Sequence, residues 1–269
     1  MYQFGKAVIF VFTFLAFSSF AAADPFKTQR STFAFLKNLY GTIDLDKMVK
    51  TKIAPNSIHH DKYEDYLKVV LLDDEIIEAL SELVFDNKAL LMDNPELAAS
   101  LGSNWAMSSA MKGITRLSDE NQRFLLELTL LQAETLDTNS CSSMFGSDLT
   151  NEEMTSMGFT ALERMPSRVV DAYLKLLQEA LFAEVRDNPM SRDLTVSEQE
   201  LADAAFEKSY VDALLNHSES EELITAATDP KLASDFYICE NGKVLLESIL
   251  SIKGYTGGLA IRNLISQMY

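Results

Sequence analysis

The sequence predicts an all-α protein, an irregular multi-helix bundle closed by one disulfide, and three observations carry that expectation. Strand signals are scarce: Val and Thr do not cluster into alternating runs, and 10 Gly with 6 Pro in 269 residues are too few for a turn-rich sandwich or barrel. Helix starts recur instead, each a hydroxyl followed three residues later by a carboxylate: Thr150 with Glu153, Ser197 with Glu200, Ser218 with Glu221. Such a pair satisfies two amides that the first turn leaves without partners. The third observation is the cysteine count. Cys141 and Cys239 are the only two, and an even number in an exported chain reads as a disulfide.

Export is read from residues 1–23. Lys6 supplies a positive charge, residues 7–20 are apolar apart from Thr13, Ser18 and Ser19, and Ala21-Ala22-Ala23 offers small residues for cleavage before Asp24. The apolar run is shorter than the roughly 20 residues a bilayer span needs, so a signal peptide fits better than an anchor. In the mature chain the most apolar stretch, around 124–131, is broken by Glu127. The expectation is a periplasmic or secreted protein that does not span a membrane.

The helices follow in order. They are expected over about 28–40 and 44–52, then, after a loop at Pro55-Asn56-Ser57, over 60–71, 74–86, 95–101 and 104–115. Ser118 caps a helix reaching about 137, and 138–147, with Cys141, reads as a loop. Helices over 151–164, 167–187, 198–216, 219–228 and 231–240 come next, with Pro166, Pro189 and Pro230 at their boundaries. Asn241-Gly242 reads as a left-handed cap. The last pair, 243–253 and 259–268, is separated by a loop from Gly254 to Gly258.

Three helices look central because they are apolar most of the way round. Helix 119–137 carries Leu125, Leu126 and Leu128, helix 167–187 carries Val170, Leu174, Leu177 and Leu181, and helix 243–253 carries Val244, Leu245, Leu246 and Ile249. A Cys141–Cys239 bridge would tie the middle of the fold to its carboxyl end, worth roughly 4–5 kcal/mol in the chain-entropy model. A single helical domain is expected over 24–269. Within it, residues 24–70 carry 8 Lys plus Arg against 6 Asp plus Glu and could form a less acidic cap or lobe, because the remainder carries 14 against 34.

Function is sought in charge and in side-chain clusters. The net charge of −17 repels nucleic acid and steers a cationic protein toward the surface. The densest acidic stretches, Asp73-Asp74-Glu75 and Glu219 with Glu221 and Glu222, are the candidate partner-binding residues. His59, His60 and Glu64, with Asp61 and Asp65, are the densest candidate metal ligands. Zinc needs three or four converging donors, and the only other histidine, His217, is remote in sequence, so no metal and no cofactor are expected. His217 is assigned to a helix end, where an imidazolium complements the dipole.

There is no nucleophile elbow, and paired cysteines supply no free thiolate. Gly257-Gly258 with Arg262 could offer an anion site, although a hinge between helices accounts for the glycines. Trp105 lies with Met107 and Met111 on a core-facing stripe. The reading is therefore an exported acidic protein-binding protein on the plan of inhibitor or immunity proteins. The alternative is a periplasmic hydrolase acting on cell-wall sugar or lipid through paired carboxylates.

Overall fold

The structure, a computed structural model, describes residues 26–50, 53–94, 97–146 and 151–268. The leader with its cleavage point lies outside these residues, as does Thr150 of the first expected capping box. Among the described residues there are helices and no strands, and the all-α expectation holds. These residues divide between two compact units, one made of 26–113 and 166–188, the other of 114–165 and 189–268.

The first unit is built from α1 (Gln29–Thr42), α2 (Leu45–Val49), α3 (His60–Leu71), α4 (Asp74–Asp86), α5 (Lys88–Asp93), α6 (Leu97–Ile114) and α10 (Ser167–Val185). Thr28 starts α1 in a reciprocal cap with Ser31, Asp44 starts α2 by accepting from the Lys47 amide, and Asp73 starts α4 by accepting from the amides of Glu75 and Ile76. α1 lies along α4, while α3 meets α2, α4 and α10. Their inward faces bury Leu36, Tyr63, Leu67, Ile76, Leu80, Tyr173 and Leu177. α6 and α10 come so close that a Cβ on Gly113 would stand 1.8 Å from the Ala180 carbonyl oxygen. Within this unit α1, from the less acidic stretch, packs against α4, and α3 packs against α10.

The second unit contains α7 (Asp119–Thr135), α8 (Thr138–Gly146), α9 (Asn151–Arg164), α11 (Val196–Leu215), α12 (Ser220–Thr228), α13 (Asp235–Ser251) and α14 (Gly254–Met268), with a 3-10 turn at Pro230–Leu232. α13 is its axis and packs against α7, α8, α11, α12 and α14, burying Val244, Leu245, Leu246 and Ile249. The disulfide joins α8 to α13, with the Cα atoms of Cys141 and Cys239 5.3 Å apart. Arg123 of α7 caps the far end of α13 by donating to the carbonyls of Leu250 (2.7 Å) and Ile252 (2.9 Å).

Several boundaries depart from the sequence expectation, each for a physical reason. Residues 138–146 are helical, although Thr138, Asn139, Ser140, Ser142 and Ser143 read as a loop. The Asp137 carboxylate accepts from the Ser140 amide, which holds its pKa below the usual range, and Cys141, Met144 and Phe145 form a buried face.

Asn241-Gly242 ends no helix. α13 runs straight through it, because Asn241 is buried and accepts from the Tyr210 hydroxyl (2.5 Å) while the Phe145 ring occupies the place of a side chain at Gly242. A Cβ there would fall 2.3 Å from that ring. The stretch 97–114 is likewise one helix rather than two. Gly254, at φ +67°, turns the chain, and 255–258 form the first turn of α14 rather than a loop. The capping box of α11 is Thr195 with Glu198, two residues before the expected pair, and α12 starts at Ser220 with no side-chain cap.

Candidate functional site

In the first unit, α2 and α3 bring three donors together. His60 is the first residue of α3, Glu64 follows one turn later on the same face, and Asp46 projects from α2. One ligand atom from each of Asp46, His60 and Glu64 lies within 4.8 Å of the others. The His60 side chain is 6% exposed, and its Nε2 has no hydrogen-bond partner, the nearest carboxylate oxygen being Asp46 Oδ1 at 3.6 Å. Its other nitrogen, Nδ1, faces Asp61 Oδ1 at 3.4 Å. Each carboxylate of the trio also meets a lysine one turn along its own helix, Asp46 with Lys50 and Glu64 with Lys68 (3.1 Å).

Two of the three candidate ligands, His60 and Glu64, are thus brought together, and the donor that the sequence reading did not name is Asp46. His59 is buried beside them in sequence but is not part of the trio. Asp46 could not be found from spacing, because only the packing of α2 on α3 supplies it.

The two acidic stretches fall in different units and in different circumstances. Asp73 caps α4 and pairs with Arg186 at 3.2 Å, and Glu75 pairs with the same guanidinium. Asp74 meets Lys37 of α1 at 2.7 Å. All three carboxylates therefore have basic partners inside their own unit. Glu219, Glu221 and Glu222, at the start of α12, make no ion pair among the described residues. The Tyr237 hydroxyl lies against this group. Its pKa is raised by partial burial and by the carboxylates of Glu219 and Glu222, with a hydrogen bond to Glu219.

Beneath α12 sits a small core of Leu214, Leu223 and Val244, on which Tyr210 and Tyr237 pack. The elements that meet there also expose large apolar side chains: Leu215 is 63% exposed, Leu232 76% and Phe236 46%. Residues 209–242 carry seven carboxylates and one lysine, Lys231. Of those carboxylates Asp212 is neutralised by Lys208 and Glu240 by Lys243, both pairs lying along a single helix.

The remaining sequence candidates have structural roles. His217 follows α11, and its Nδ1 accepts from the Glu219 amide at 3.1 Å, which settles the turn into α12. Arg262 donates to the Thr115 carbonyl and to Asp119 Oδ1 (2.5 Å), and Gly257 and Gly258 are packed against Ile252 and Asp119, so no anion cradle forms there. Trp105 is half-buried and Met111 buried, as a core-facing stripe requires. No helix among the described residues is long and apolar enough to cross a membrane. Comparison with protein-family models, with curated proteins and with solved structures gives no match.

Proposed function

We propose that the protein is exported and binds a cationic partner protein through α12 and the adjoining turn at 230–236. One observation carries this reading: Glu219, Glu221 and Glu222 are left without cationic partners among the described residues, while Leu215, Leu232 and Phe236 are exposed on the elements packed around them. Protein interfaces combine an apolar centre with a polar rim, and aromatic anchors dominate their energetics. Carboxylates that no internal cation neutralises contribute long-range attraction, which raises the association rate. The disulfide supports the same reading, because a stapled frame loses less conformational entropy on docking.

The test uses a defined probe, an amphipathic basic peptide titrated into isotope-labelled mature protein. Amide shifts are expected to concentrate at 219–224 and 230–237, to spare Asp73–Glu75, and to weaken as salt rises. The triple substitution Glu219→Lys, Glu221→Lys, Glu222→Lys should abolish them. Equal shifts at both acidic stretches would reduce the interaction to bulk charge and remove the basis for a specific surface.

A further inference from the structure

We propose that Asp46, His60 and Glu64 form a binding site for a divalent first-row transition ion, with zinc(II) the preferred occupant. His60 is the centre of this group. Its ring is buried, and its Nε2 has no hydrogen-bond donor or acceptor in range. A buried nitrogen in that state is destabilising, because it has given up its hydration without replacement. What it faces is the carboxylate of Asp46 at 3.6 Å, with Glu64 completing a group whose ligand atoms lie within 4.8 Å. The three groups offer lone pairs to one shared space, and a cation placed among them turns each of the three contacts attractive.

The second ring nitrogen supports the same assignment. Nδ1 lies 3.4 Å from Asp61 Oδ1, and the tautomer that donates to this carboxylate leaves Nε2 as the acceptor. Metal-binding histidines commonly have this arrangement, in which a carboxylate behind the ring orients it and raises its basicity.

The donor set decides the ion. One imidazole nitrogen and two carboxylates suit zinc and its neighbours, whereas calcium and magnesium favour all-oxygen cages. Bonds of about 2.0–2.2 Å hold the ligand atoms of a tetrahedral zinc site roughly 3.3–3.5 Å apart. The His60–Asp46 separation is close to that already. Three protein ligands leave a fourth position for water or for an external ligand.

Lys50 pairs with Asp46 and Lys68 with Glu64, and both lysine side chains are half-exposed. Pairs of that kind along a helix surface contribute a few tenths of a kcal/mol, so a doubly charged ion displaces them readily. In the absence of the ion the lysines provide the compensating charge.

Zinc(II) titration of the mature protein against a chromophoric chelator tests the site, with cobalt(II) absorption as a spectroscopic readout. One site per chain is expected, with a ligand-field band that requires the His60 nitrogen. Glu64→Gln, which keeps the shape of a partly buried side chain, should weaken zinc binding at least about tenfold, and His60→Ala should remove the cobalt band. Lys68→Met should tighten binding, since it deletes a competing cation. Unchanged affinity in Glu64→Gln, or a wild-type site no tighter than that of the scattered surface acids, would overturn the proposal. So would calcium(II) competing with zinc(II) at equal concentration.

Discussion

Two helix starts carry the densest acidity of this chain, and they differ in what stands opposite them. At α4, Asp73 and Glu75 converge on Arg186 and Asp74 on Lys37, so the stretch stabilises its own unit. At α12, Glu219, Glu221 and Glu222 form no ion pair among the described residues, and exposed Leu232 and Phe236 lie on the neighbouring turn and helix. The same residue type in the same helical position thus has two roles. Acids in a first turn complement the helix dipole in both cases. What distinguishes them is a guanidinium from 111 residues away, aligned with one stretch and not with the other.

That comparison can be sharpened by substitution, beginning with the frame that carries the open stretch. Cys239→Ser should destabilise the protein by roughly 4–5 kcal/mol, read as a lower urea midpoint, with α8 and α13 losing hydrogen-exchange protection first. Leu128→Ala, in the core of the same unit, should destabilise by about 2–5 kcal/mol. A change below about 0.5 kcal/mol would mean that the residue is not packed. On the paired stretch, Arg186→Ala should destabilise by about 1 kcal/mol, because it strands Asp73 and Glu75 and also removes the guanidinium from above the Phe182 ring, 4.4 Å away.

A smaller effect is expected with pH. Glu198 is held down to about 2, from 4.5, first by the Thr195 amide, then by the Tyr255 hydroxyl (2.7 Å), the Thr195 hydroxyl and Arg192. A depressed carboxylate stabilises the fold above its unfolded value and loses that contribution as pH falls toward its folded value. The melting temperature of the wild type should therefore approach that of Glu198→Gln between pH 4.5 and about 2, and should exceed it above that window. The smallest effect on stability is reserved for the open stretch: the single change Glu222→Gln should alter unfolding free energy by about 0.5 kcal/mol or less. A loss as large as that of Arg186→Ala would show that this stretch too has an internal basic partner and would dissolve the contrast.

Much of the helix order could be read along the chain. α3, α4, α9 and the start of α7 fall where composition and caps put them, because these signals act within a few residues. The disulfide was also legible, since two cysteines allow one pairing. The errors have a common cause. α8 looks like a loop until Phe145 is set against Gly242, and Asn241-Gly242 looks like a stop until that ring lies on it. Local propensity is worth tenths of a kcal/mol per residue, whereas burying an aromatic ring against a neighbouring helix is worth a few.

The candidate sites divide in the same way. His60 and Glu64 share a face by helical spacing alone, but Asp46 joins them only through the packing of α2 on α3. The sequence by itself determined the helical class, the one possible cysteine pair and the places where negative charge is concentrated, because composition and short-range periodicity carry that information. Which carboxylates are neutralised, which nitrogen is buried without a partner and which residues converge on one point were decided by tertiary structure alone, because those outcomes depend on side chains that meet across helices rather than along them.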